Sequence, residues 1–220
     1  MHDAPYSPLT NLPYEIILKI VEVTHPKDLL TIARVSKQFR GLLMHPTSAS
    51  LWKHSLALHE PSLPECPASM SEPRWAHLVF EEQCTFCGAN DEVTEVNWYL
   101  RVRSCKQCAK SCIKTSLQDG FRPLSDGTTS FERLIPSKLA CLDSMSFFTY
   151  GCFRSWSYLA ADYEAVKAEY LSIRSDADRR QFVEERIALA NSGRAHSHRC
   201  EIWSLDANLI DSDRCATSNV

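Results

Sequence analysis

The sequence predicts a mainly α-helical protein: a small helical module at the amino end, a small cysteine-bearing β element in the middle, and a helical region at the carboxyl end. Three observations carry this. The first sixty residues break into four short apolar-striped segments, punctuated at Pro13, Pro26, Ser36 and Pro46. Two Cys-x-x-Cys pairs, Cys84/Cys87 and Cys105/Cys108, bracket a segment of alternating apolar residues. Late in the chain Leu159, Tyr163, Val166, Tyr170 and Ile173 recur at spacings of four and three, the pattern of one buried helix face.

The helical module occupies residues 1–59. Pro13 suits a helix start, where its missing N–H leaves no bond unmade. Glu15 favours the positive end of that helix. Ile16, Ile17, Ile20 and Val21 follow at helical spacing. His25-Pro26 breaks the run, because the residue before a proline is pushed out of the α region. Asp28 to Val35 form a second helix, and Ser36 caps a third that carries Phe39, Leu42 and Leu43 inward. Leu51 and Trp52 open a fourth. So much apolar surface on so short a module calls for outside help, and no cysteine precedes Cys66 to supply a bridge or a metal. The expected help is a protein partner.

Residues 60–74 hold Pro61, Pro64, Pro67 and Pro73 and read as a linker. Residues 75–155 contain the cysteine pairs and then a loop-rich stretch, with turn signals at Asp119-Gly120 and Asp126-Gly127. Residues 156–220 read as two helices and a polar tail. Asp176 or Asp178 starts the second helix, Phe182, Val183, Ile187 and Leu189 mark its course, and Gly193 interrupts or ends it.

Composition narrows the function. With 44% hydrophobic and 23% charged residues the chain is ordinary for a globular protein. A net charge of −3 gives no global attraction to nucleic acid or anionic membranes. No apolar stretch approaches the roughly twenty residues of a membrane span, and the start, MHDAPYSPLTNLP, lacks the regions of a secretory signal. A cytoplasmic or nuclear protein is expected. In that compartment ten cysteines point to thiols and metal ligands rather than disulfides.

The cysteine pairs stand seventeen residues apart, and each can fold into a knuckle presenting two thiolates. Two knuckles fill the closed tetrahedral shell of a structural zinc, so one zinc held by Cys84, Cys87, Cys105 and Cys108 is expected. Between them Val96, Trp98, Leu100 and Val102 alternate with polar residues, as in a half-buried strand of a zinc-ribbon-like element. Gly88 relaxes the turn after the first pair. Cys112 is an alternative fourth ligand if a helix begins there, and His77 a weaker one. Neither a redox pair nor a catalytic metal site fits two pairs at this spacing without an H-E-x-x-H or H-x-E signature. Arg101, Arg103, Lys106, Lys110 and Lys114 make a local basic patch, offset by Glu81, Glu82, Asp91, Glu92 and Glu95.

The amino-terminal residues resemble an F-box. The likeness rests on Leu12-Pro13, Glu15-Ile16, Pro26-x-Asp28-Leu29-Leu30, Val35-Ser36-Lys37-x-Phe39-Arg40 and Leu51-Trp52. It implies a three-helix unit that docks on the Skp adaptor, which in turn binds a cullin scaffold. The implied anchors are Leu12, Pro13, Ile16, Ile20, Leu29, Leu30, Leu51 and Trp52, some of which must face the module's own core instead. Each large apolar side chain buried contributes about 1.5–3 kcal/mol, and association costs about 4–15 kcal/mol. Six to eight anchors outweigh that cost where two do not. His25 departs from the family, which often has an aliphatic residue before this proline.

With WAHLVFEEQCTFCG, WYLRVRSCKQCAKS and RAHSHRCEIW downstream, the whole chain resembles the F-box proteins expanded in mushroom-forming fungi. That likeness implies a substrate receptor of a Skp–cullin–F-box ubiquitin ligase with an unnamed protein target. No nucleophile motif or phosphate-binding glycine loop occurs, so catalysis by this chain is not expected. Two other readings stay open: a zinc-ribbon nucleic-acid-binding protein, and an F-box interaction protein outside ubiquitin transfer. His196, His198 and Cys200 at spacing two cannot share one helix face and read as a surface stretch. The aromatics Trp156, Tyr158, Tyr163, Tyr170 and Trp203 read as packing for the helical region.

Overall fold

A computed structural model describes residues 13–90, 96–117, 130–142 and 153–217. Leu12 and the turn signals at Asp119-Gly120 and Asp126-Gly127 lie outside the described residues. The fold is mainly α-helical with one three-stranded sheet, and it divides into two units, Met1–Glu81 and Glu82–Val220.

The first unit contains α1 (Tyr14–Glu22), α2 (Pro26–Val35), α3 (Lys37–Leu43), a 3-10 turn (Pro46–Ser48), α4 (Ala49–Ala57) and α5 (Glu72–Phe80). Its helix starts follow from local chemistry. His25 caps α2, its Nδ1 accepting the Lys27 N–H at 3.2 Å, and Pro26 supplies a preset first turn. Ser36 caps α3 by accepting the Phe39 N–H at 3.1 Å. Ile17, Val21, Leu29, Leu30, Phe39, Leu43, Leu51, Trp52 and Leu56 form the core. The Trp52 indole N–H donates to the Leu43 carbonyl at 2.8 Å, and the Ser55 hydroxyl donates to the Thr24 carbonyl at 2.6 Å.

The boundary falls after Glu81 rather than after residue 74. The reason is α5, which packs on α2 and α4 and buries Trp75, Ala76 and Leu78. Arg34 and Glu81 close the junction with an ion pair at 2.8 Å. The proline-rich segment 60–74 thus connects two helices of one unit.

The second unit contains α6 (Lys106–Cys112), β1 (Ile113–Leu117), a 3-10 turn (Phe131–Arg133), β2 (Ser137–Leu142), β3 (Phe153–Leu159), α7 (Ala160–Ser172) and α8 (Asp176–Thr217). The sheet is antiparallel in the order β1-β3-β2. Trp156 lies opposite Ser116 and Leu139, and Tyr158 opposite Lys114 and Ser137. Leu134, Ile135, Val166, Tyr170 and Val183 form a core, ringed by Phe131, Tyr158, Tyr163, Phe182 and Ile187.

Three local expectations are corrected here. The alternating segment 96–103 is not a strand. It is a tight turn closed by the Asn97–Val102 bridge, with Asn97 Oδ1 accepting the Leu100 N–H at 3.1 Å and Arg101 at φ 55°. The strands lie instead at 113–117, 137–142 and 153–159, so Trp156 and Leu159 are strand residues rather than the start of a helical region. Finally, α8 does not end at Gly193 but runs 42 residues to Thr217, through the stretch read as a polar tail. Tertiary contacts outweigh the glycine's low propensity: Ser197 donates to the carbonyls of Gly193 (2.8 Å) and Trp98 (3.0 Å), and Trp203 packs edge-on against Trp98 at 6.2 Å.

Candidate metal centre and docking face

The sulfurs of Cys84, Cys87, Cys105 and Cys108 all lie within 4.8 Å of one another. Each knuckle is built by backbone bonds. The Gly88 N–H returns to the Cys84 carbonyl at 2.9 Å and the Cys84 N–H donates to the Ala89 carbonyl at 2.8 Å, with Gly88 at φ 73°. A left-handed residue is needed there, and glycine adopts it without strain. The second knuckle runs straight into α6, whose cap is the Cys105 sulfur accepting the Cys108 N–H at 3.4 Å. Two bonds tie the knuckles together: Thr85 N–H to the Arg103 carbonyl at 2.9 Å, and Arg103 N–H to Thr85 Oγ1 at 3.0 Å.

Two of the four thiols, Cys84 and Cys108, are shifted in opposite directions. Burial pushes the Cys84 thiol up, but N–H donors of Cys105, Cys87 and Phe86 and the Cys87 side chain outweigh it, and the pKa falls to about 6. Cys108 is held well above the ordinary thiol range, first by hydrogen bonding to Cys105 and then by burial. Thiolate is therefore favoured at Cys84 while Cys108 keeps its proton, and a divalent cation would displace that proton. The donor set and the N–H···S bonds fit zinc. Among the described residues the cluster includes neither Cys112, which closes α6 beside Ser111 Oγ at 3.5 Å, nor His77.

His196, His198 and Cys200 are not simply a surface stretch. His196 and Cys200, one turn apart on α8, are buried, with Cys200 Sγ 3.6 Å from His196 Nδ1, and only His198 is exposed. Burial, opposed by Arg199 and Arg101, raises the Cys200 thiol to about 12, so it stays protonated. The late aromatics pack: Tyr158 stacks on Tyr163 at 5.3 Å, and Phe131 meets Tyr170 edge-on at 5.5 Å.

The first unit sorts the expected anchors by burial. Leu29, Leu30, Leu51 and Trp52 lie in its core, whereas Pro13 is exposed, as are Ile16 (44%) and Ile20 (39%). Sequence reasoning missed Val23, which is 75% exposed and extends the row Ile16–Ile20 by one helical step. Its signal was the period itself: 16, 20 and 23 lie on one helix face, while the buried Ile17 and Val21 lie on the next.

Residues 9–56 match the F-box-like family model, so the chain carries an F-box-like domain over α1 to α4, which supports an F-box protein. No curated protein and no solved structure matches the chain significantly. Among the described residues no helix is long and apolar enough to cross a membrane.

Proposed function

We propose that this chain is a non-catalytic substrate-receptor subunit of a Skp–cullin–F-box ubiquitin ligase. The observation that carries the reading is the apolar row Ile16 and Ile20 on α1 and Val23 at its C-cap, left exposed inside the segment that matches the F-box-like model. Two exposed large aliphatics on a helix of only nine residues, and a third at its C-cap, mark an interaction face. With Pro13 they supply the surface contacts to the Skp adaptor, and Leu29, Leu30, Leu51 and Trp52 act by holding that face in shape. Leu12, outside the described residues, joins the contact set by its place in the motif.

In this reading the second unit holds the target protein. Its Cys84, Cys87, Cys105 and Cys108 bind one structural zinc, which joins the turn at Cys84–Gly88 to the start of α6. Such a subunit accelerates ubiquitin transfer through effective concentration and orientation of the target. A reducing compartment, cytoplasm or nucleus, goes with the reading, because the four thiols bind metal only when reduced. The kinship with the expanded fungal F-box proteins belongs to the same proposal and rests on the motifs of both units.

Co-expression with a fungal Skp adaptor tests the docking. A one-to-one complex on size exclusion is expected, lost on Ile16→Asp with Ile20→Asp. Separate elution of the wild-type chain would overturn it.

A further inference from the structure

Helix α8 is held to the rest of the second unit in two different ways along its length. In its first part it packs on α7. Phe182, Val183 and Ile187 join the core around Val166 and Tyr170, Arg186 pairs with Glu169, and the Arg179 guanidinium lies over the Tyr170 ring at 5.6 Å. None of these contacts involves the cysteine segment.

From Ser197 to Ser204 the helix rests instead on the turn 97–102. Ser197 Oγ donates to the Trp98 carbonyl at 3.0 Å, the Trp98 indole N–H donates to Ser204 Oγ at 3.3 Å, and the Tyr99 hydroxyl donates to the Glu201 carboxylate at 3.1 Å. Trp98 and Trp203 meet edge-on at 6.2 Å, and Lys138 of β2 reaches the same carboxylate at 2.9 Å. Trp98, Leu100 and Val102 are buried in the turn, as are His196, Ser197 and Cys200 on the helix. Gly193 separates the two stretches, and serine, histidine, aspartate and asparagine, all modest helix formers, recur beyond it. A helix of that composition owes its stability to packing.

The turn is itself an unfavourable piece of backbone. Arg101 at φ 55° is left-handed without being glycine, and such a conformation persists only where its surroundings dictate it. Part of those surroundings is the pair of cysteine knuckles. The turn lies between Cys87 and Cys105, and its exit is fastened by the two Thr85–Arg103 bonds and by the Cys105 N–H donating to Cys84 Sγ at 3.4 Å. We propose that metal at Cys84, Cys87, Cys105 and Cys108 latches α8. With zinc bound, the turn keeps its shape and docks residues 195–207; without it, α8 stays folded on α7 but loosens beyond Gly193. The inference rests on the zinc reading of the four cysteines and is independent of adaptor docking. It makes the later part of α8 the piece of the second unit whose order follows metal supply.

Hydrogen exchange of the full chain, read by mass spectrometry with zinc bound and after treatment with a chelator, tests it, with zinc counted in both samples. In the chelated chain the amides of 195–207 should exchange at least about tenfold faster, on the scale of the several tertiary hydrogen bonds lost, while those of α7 and of 179–190 keep their rate. Trp98→Ala leaves all four cysteines in place. It should retain one zinc and yet exchange over 195–207 as the chelated wild type does; if it fails to fold, Ser197→Ala makes the same test and should shift exchange in the same direction. Zinc bound but 195–207 exchanging at one rate in both states would overturn the latch. So would equal loosening of α7, or full protection in the zinc-bound variant. A chain that takes up no zinc would overturn the zinc reading itself, and the latch with it.

Discussion

The Trp52 indole on α4 donates its N–H to the Leu43 carbonyl at the end of α3, 2.8 Å away, and both side chains are wholly buried. One residue thereby fills the core and satisfies a helix-end carbonyl that would otherwise lack a partner. Trp52→Ala should destabilise the first unit by about 3–5 kcal/mol, the cost of a large cavity. Ile16→Asp with Ile20→Asp should change stability by less than about 0.5 kcal/mol, as exposed positions do. Urea unfolding of both variants, followed by circular dichroism, separates core residue from docking residue.

Acid should weaken the first unit through His25. Burial, His59 and Lys27 lower its pKa from 6.5, against Asp28. Its ring stands 5.6 Å from His59 and 4.9 Å from Phe80, and its neutral Nδ1 caps α2. A folded pKa below the unfolded one means that this stability is present above pH 6.5 and lost as pH falls through the folded value. His25→Asn keeps a capping acceptor and removes the titration. Denaturation at pH 7.5 and 5.5 should show a smaller difference for the variant than for wild type; equal differences would refute this assignment.

Metal removal should act on the second unit. Cys84→Ser, or a chelator, is expected to abolish zinc binding and to expose the amides of 84–112 to hydrogen exchange, while those of α2 and α4 keep their protection. Cys112→Ser should retain one zinc per chain. Loss of metal in that variant would move the fourth ligand to Cys112.

The two informative glycines should respond in opposite directions. At Gly193 an added Cβ would meet Arg101 Nη2 at 3.6 Å, an ordinary van der Waals contact. Gly193→Ala should therefore stabilise by about 0.5–1 kcal/mol within α8. Gly88 sits at φ 73°, and Gly88→Ala should cost about 1–2 kcal/mol. Thermal melts of the two variants check the pair.

The amino-terminal helices were legible because proline, serine and apolar period mark their ends and faces locally. The cysteine cluster was legible because its spacing is a constraint on chain geometry. What escaped the sequence depended on distant partners. Trp98, Leu100 and Val102 are buried alternately as a strand would bury them, yet a side-chain bond from Asn97 folds them into a turn against α8. The strands at 137–142 and 153–159 hold serines at core positions, Ser137 and Ser155, so no apolar alternation announced them. Helix α5 was assigned to the wrong side of a boundary because prolines precede it, although Trp75 and Leu78 bind it to α2 and α4. Gly193 looked like a stop, and only the contacts of Ser197 and Trp203 explain why the helix continues.

The most direct measurement of the central claim is size-exclusion chromatography of the chain co-expressed with a Skp adaptor, wild type beside Ile16→Asp/Ile20→Asp, with zinc measured across the peaks. A shared wild-type peak with one zinc per chain, and a variant that elutes apart yet keeps its zinc, is the predicted result. A folded, zinc-bearing wild-type chain that elutes without the adaptor would contradict it.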